Sequence, residues 1–306
     1  MIDTPDISPA WSGDRPDEEA SRKPAVIVAT SQVVRGAVGG RSTLFALERL
    51  GFRVWHLPTI LLGWNPKYGP STRVIPDEAS FAGMVDDLIG SRWLGDVGAV
   101  LTGYLGASHQ GTALGRLVDA VKAKNPDAIY LCDPIIGDEG NLYVPPETVD
   151  AQRNELMPRA DILTPNLFEL GWFTGLPVDT ELAVLAAART LPAPRVMVSS
   201  APALRKKSLS TLLATPTGAL AVEHAELDGV PHGTGDLLAA LFLAAELEGA
   251  DDETALARAV SGTFEMAARS AKAGSDEQML TEHQHAIVRP VAMVSSRRIL
   301  ERKARA

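Results

Sequence analysis

From Lys23 onward, short apolar, β-branched runs alternate with longer amphipathic ones. Runs of the first kind are 25–31 (AVIVATS), 53–59 (RVWHLPT), 98–105 (GAVLTGYL), 128–134 (AIYLCDP), 160–166 (ADILTPN) and 195–200 (RVMVSS). Their length and content predict strands. Two further runs, 208–215 and 220–227, flank Pro216 and Gly218 and read as a hairpin. Between the strands, apolar residues recur at three- and four-residue spacing over 41–51, 108–125 and 180–191, and two alanine-rich stretches near 236–248 and 252–273 complete the helical set. Alternation of strand and helix predicts parallel strands joined by right-handed crossovers, with helices on both faces. The expected fold is a three-layer αβα sandwich around a mainly parallel sheet, with a C-terminal hairpin.

Both ends depart from this pattern. Residues 1–23 are polar, proline-dotted and aperiodic, so they read as a disordered tail. A single domain is expected over 24–290, followed by a basic tail at 291–306 whose last part, SSRRILERKARA, reads as a solvated helix. Neither a bilayer-spanning apolar run nor a secretory leader is apparent, and Cys132 is the only cysteine, which excludes an intrachain disulfide framework and a cysteine-built zinc site. A cytoplasmic location is expected. Lys and Arg number 29 against 38 Asp and Glu, for a net charge of −9, a poor match to a nucleic-acid backbone. An anionic ligand must therefore be held locally.

Parallel sheets bind ligands beyond the carboxyl ends of their strands. At or near those ends stand Ser31, Tyr104, Asp133, Asn166 and Ser199. No Gly-Lys-Ser/Thr P-loop is present, and Gly36, Gly39 and Gly40 have the wrong spacing for a dinucleotide fingerprint. The stretch PHGTGDLLAALFLAAE (231–246) offers another phosphate device. Gly233, Thr234 and Gly235 can turn consecutive N–H groups into one anion-binding hollow at a helix N-terminus, with Asp236 at its lip as a base. Asp133, Asp138 and Glu169 add carboxylates at the same sheet edge, which suits a divalent ion lying between them and a phosphate chain.

Four stretches together resemble the ribokinase superfamily and, within it, the pyridoxal kinases: TSQVVRGAVGG, TGYLGASHQG, CDPIIGD with ADILTPNLFEL, and GTGDLLAA. The resemblance implies phosphorylation of the 5′-hydroxymethyl group of pyridoxal, and in many members of pyridoxine and pyridoxamine, by ATP with Mg²⁺. A need for a monovalent cation is left open. By position, Asp236 matches the base and Gly233, Thr234 and Gly235 the anion hole. Ser31 and Tyr104 match vitamin-pocket residues. Asp133, Thr164, Asn166, Glu169, Ser199, Gly233 and Gly235 match nucleotide-binding positions, with Asp133, Asp138 and Glu169 on the metal side. A homodimer is also implied. The loop GWNPKYG departs from the family: Pro66 stands where a threonine touches the vitamin, and Lys67 adds a charge, so these two positions bear on the choice of substrate. Kinases of hydroxymethylpyrimidine or another small alcohol share the base and hole, and a catalytically silent binder of pyridoxal phosphate is the alternative from another class.

Other polar residues invite less. Cys132 reads as a small buried filler, and the His283/His285 pair as a solvated loop. His232 flanks the anion hole, and contact with a phosphate is the lesser of its two readings. Trp55, Trp64, Trp93 and Trp172 fit core or pocket walls.

Overall fold

The computed structural model describes residues 23–138 and 140–299. The tail expected at 1–23 therefore lies, Lys23 apart, outside the described residues, as do residues 300–306. The elements run β1 (Ala25–Arg35), α1 (Gly40–Arg49), β2 (Arg53–Trp64), β3 (Arg73–Val74), α2 (Glu78–Gly90), β4 (Val97–Thr102), α3 (His109–Lys124), β5 (Ile129–Cys132), β6 (Gly137–Asp138), β7 (Asn141–Leu142), α4 (Pro146–Ala151), β8 (Ile162–Leu163), α5 (Leu167–Thr174), α6 (Glu181–Ala188), β9 (Arg195–Pro202), β10 (Ser208–Thr215), β11 (Gly218–Ala225), α7 (Thr234–Leu247), α8 (Asp252–Lys272), α9 (His285–Val288) and β12 (Ser295–Arg298).

Ten strands form one sheet in the order β12-β11-β10-β9-β8-β5-β4-β1-β2-β3, while β6 and β7 pair separately. From β9 to β2 every neighbouring pair is parallel. The antiparallel hairpin β10–β11 extends the sheet beyond β9. This is the predicted mainly parallel αβα arrangement.

The layers follow from burial on both faces of the sheet, which makes parallel strands read as continuous apolar runs. In β1, Ala25, Ile27 and Ala29 join the core under α2, α3, α5 and α6, whereas Val26 and Val28 join the core under α1, α7, α8 and α9. Helix α7 buries every residue from Leu237 to Ala245, as an all-apolar helix must. Its first turn is thereby held rigidly against the sheet.

Three expectations at the periphery change. The basic end is, over Ser295–Arg298, an edge strand rather than a solvated helix. A serine pair gives a four-residue helix little support, and Arg297 instead reaches two carboxylates, Glu181 and Glu223, both largely buried. Trp93 is 54% exposed, beneath the Arg92 guanidinium, and lines neither core nor pocket. His285 is not in a free loop: its Nε2 lies 2.9 Å from Glu265, whose carboxylate also accepts from the Val291 and Ala292 N–H groups. Cys132 is buried as expected, and burial pushes its thiol up to about 12.

Candidate active site

The first turn of α7 carries Asp236 behind Gly233, which takes the left-handed conformation with φ 97°. A side chain is excluded there. A Cβ at Gly233 would stand 2.2 Å from the Ala37 carbonyl oxygen and 2.5 Å from Gln278 Nε2. That amide nitrogen donates to the Ala37 carbonyl at 2.8 Å and lies 3.4 Å from the His232 carbonyl, so Gln278 ties the β1–α1 loop to the residue preceding Gly233. Gly235 is open on its outer side.

The Asp236 carboxylate is half-buried and accepts a 2.8 Å hydrogen bond from the Gly39 N–H. Burial raises its pKa to about 6, against the lowering effect of the Gly39 bond. Gly39 has φ 55°, and a Cβ on it would fall 2.2 Å from Ser31 Oγ. The hydroxyl of Ser31, the backbone of Gly39 and the carboxylate of Asp236 therefore stack in one place, although 205 positions separate Ser31 from Asp236. Tyr104 is placed by the loop after β4: its N–H donates to Thr30 Oγ1 at 3.2 Å, its carbonyl accepts from Thr59 at 2.6 Å, and its hydroxyl lies 3.2 Å from an Arg73 nitrogen. Pro66 and Lys67 sit exposed on a 3₁₀ turn (Pro66–Tyr68) capped by Asn65. The turn is strapped down by Tyr68, which donates to the Asp276 carbonyl and lies under the Arg35 guanidinium.

A second group gathers at the ends of β5, β8 and β9. Asp133 is buried, and its pKa is raised well above the usual range, first by burial, then by the charges of Glu169 and Asp236. The buried Thr164 hydroxyl stands near Asp133 and works against that rise. Asn166 caps α5, accepting from the Glu169 N–H at 2.8 Å and donating to the Gly137 carbonyl at 2.9 Å; it bridges to Ser199 on β9.

Glu169 spends its carboxylate on backbone. Oε1 accepts from Ile136 N–H at 2.9 Å and Gly137 N–H at 3.4 Å, and Oε2 from Asn166 N–H at 2.9 Å. Burial nevertheless lifts its pKa to about 7. Asp138 is exposed on β6 near it. Among the described residues no three His, Cys, Asp or Glu side chains are grouped as a ready metal cage. Glu169→Gln leaves the Asn166 N–H facing an NH₂ group, and is expected to cost about 1–3 kcal/mol in urea unfolding.

Sequence reasoning singled out neither Gly39 nor Gln278 as part of this arrangement. Gly39 lay within a stretch already matched to the family, and its role required knowing that the β1–α1 loop meets α7. Gln278 carried no signal at all. The cleft of about 500 Å³ between α1 and the 273–282 segment is lined by Gly36, Ala37, Gly40 and Gln278 and not by Asp236.

Comparisons with known proteins identify the family. A family model described as phosphomethylpyrimidine kinase matches residues 94–281. A pyridoxal kinase of Leifsonia xyli is 33% identical over 273 residues, covering 87% of this chain and 96% of the relative. The chain belongs to the pyridoxal kinase family. A pyridoxine/pyridoxal/pyridoxamine kinase of Bordetella bronchiseptica is 37% identical over 263 residues, covering 83% and 92% of the two chains. Among solved structures, the pyridoxal kinase of Leishmania donovani in complex with ADP and ginkgotoxin superposes with a TM-score of 0.85 at 26% identity, over 90% of this chain and all of that one. The protein is a kinase of the ribokinase superfamily, as its motifs led us to expect.

Proposed function

We propose that this protein transfers the terminal phosphoryl group of ATP to the 5′-hydroxymethyl oxygen of pyridoxal. The observation that carries the reading is the carboxylate of Asp236, half-buried at the mouth of α7, held by the Gly39 N–H beside the Ser31 hydroxyl. Asp236 takes the hydroxyl proton, which frees the oxygen to attack. The N–H groups following Gly233 face the phosphoryl group as its charge spreads, and they are already aligned by a helix buried from Leu237 to Ala245. Ser31 and Tyr104 line the vitamin side, with Pro66 and Lys67 above it. Thr164, Asn166 and Ser199 receive the nucleotide.

The residues present fit a hard divalent ion on the phosphate side. Burial and the charges of Glu169 and Asp236 raise the pKa of Asp133, a burden a cation relieves, and the buried Thr164 hydroxyl lies beside it. Asp133 and Asp138 would hold Mg²⁺, and Glu169 fixes the Ile136–Gly137 backbone leading to Asp138. The ion supplies neutralisation of the phosphate charge. A homodimer in the cytoplasm completes the proposal, the lone buried thiol being suited to a reducing compartment.

Purified protein incubated with pyridoxal, ATP and Mg²⁺ is expected to form pyridoxal phosphate. Turnover of hydroxymethylpyrimidine in place of pyridoxal moves the substrate to the other branch of the family model, and binding of pyridoxal phosphate with no turnover of any alcohol removes the enzyme assignment. The pH dependence has a definite sign. The base works ionised, so kcat/KM for pyridoxal is expected to fall about tenfold per unit below a midpoint near pH 6. The same raised pKa makes ionised Asp236 a burden on the fold, so its contribution to stability is lost as pH rises through about 6.

A further inference from the structure

The pairing of β1 with β2 slips at one point. Thr30 faces Pro58 and Gln32 faces Leu61, so Ser31 stands opposite two residues, Thr59 and Ile60. This is a bulge in β2, a feature that re-aims nearby residues and takes backbone groups out of the ladder. Thr59 and Ile60 are wholly buried, so a group freed there needs a partner. Gln110, in the first turn of α3 and also wholly buried, supplies one: Nε2 donates to the Thr59 carbonyl at 2.7 Å.

The other end of the same amide reaches the pocket loop. Gln110 Oε1 accepts from the Gly106 N–H at 2.9 Å and the Ala107 N–H at 3.3 Å. Reversing the amide would set donors against donors and an acceptor against an acceptor, so its orientation is fixed. Loop and bulge also touch directly. A Cβ on Gly106 would stand 2.6 Å from the Thr59 carbonyl oxygen and 3.1 Å from Ile60 Cβ. The Thr59 hydroxyl closes the circuit by donating to the Tyr104 carbonyl at 2.6 Å.

We propose that Gln110 is a positioning residue for the vitamin: a single amide, clamped between the β2 bulge opposite Ser31 and the turn that carries Tyr104, sets the spacing of the two walls. The inference rests on Ser31 and Tyr104 contacting the substrate, as proposed above. A primary amide suits the task because it offers a donor and an acceptor at one branch point, whereas a carboxylate has no donor. Its side-chain bonds reach none of Asp133, Asn166, Glu169 and Ser199.

The test is steady-state kinetics on the full chain, varying pyridoxal and ATP separately between about pH 6 and 9, for wild type, Gln110→Glu, Thr59→Val and Tyr104→Leu. In Gln110→Glu an ionised carboxylate meets the Thr59 carbonyl, so KM for pyridoxal is expected to rise about tenfold over wild type at alkaline pH, with KM for ATP within about twofold. Acid returns a proton, and with it a donor, so the ratio of mutant to wild-type KM falls as pH drops. General loosening of the fold moves both constants together and shows no such recovery. Thr59→Val keeps the volume, breaks the bond to Tyr104, and is expected to raise KM for pyridoxal alone, which keeps the proposal open to refutation if Gln110→Glu fails to fold. Tyr104→Leu reads the wall itself: no change in KM for pyridoxal there overturns the pocket assignment and this inference with it. If Tyr104→Leu raises that KM while the other folded variants leave it unchanged, or raise KM for ATP equally, the inference alone falls.

Discussion

Asp236→Asn is expected to lower kcat by at least about a thousandfold while ATP binding and the fold persist. The substitution is nearly isosteric, and the asparagine Oδ1 can still accept from Gly39 N–H, so the first turn of α7 keeps its contact with the β1–α1 loop. What disappears is the ability to take a proton from the attacking alcohol. Because the wild-type carboxylate is ionised above about pH 6 in a half-buried site, the variant is expected to match or exceed wild-type stability at pH 8 in urea unfolding. Loss of activity with equal or greater stability separates a chemical role from a structural one. Retained turnover would remove Asp236 from the chemistry.

Gly233→Ala is expected to have the next largest effect, lowering kcat by about a hundredfold to a thousandfold, the usual consequence of disturbing preorganised donors. The added methyl cannot be accommodated in place, since φ is 97° and the Ala37 carbonyl oxygen would lie 2.2 Å away. Either Gln278 or the β1–α1 loop must move, and both pack against Gly233. A stability loss of about 1–3 kcal/mol accompanies the shift. Gly235→Ala provides the contrast: its Cβ meets open space, and stability is expected to change by less than about 0.5 kcal/mol. Product formation and urea unfolding on both variants check the pair, and equal effects at 233 and 235 would contradict the packing argument.

Much of this architecture could be read from the chain because parallel strands are apolar on both faces and begin where polar residues stop. The site was legible where it is local: GTGD, TPNLFEL and CDPIIGD each lie at the end of one strand or the start of one helix. Helix α2 escaped notice because only Phe81 and Val85 are buried along its thirteen residues, which leaves little periodicity to detect. Strand β12 was misread because its pairing depends on Arg297 finding Glu181 and Glu223, more than seventy positions away. Contacts of this range also decide the fine geometry. Gly39 reaches Asp236 across 197 positions and Gln278 reaches Ala37 across 241, and neither pairing leaves a mark on neighbouring sequence. The bulge opposite Ser31 is likewise a property of two strands together.

The outermost strand has a practical consequence. β12 pairs with only four residues of β11, yet it occupies the side of β11 that β10 leaves open. Clipping the chain before Ser295 would bare that ladder to the solvent and invite pairing with another molecule. Because Asp236 and its neighbours gather around β1, β5 and β8 at the interior of the sheet, such a protein would precipitate on storage while its soluble remainder still turned over substrate.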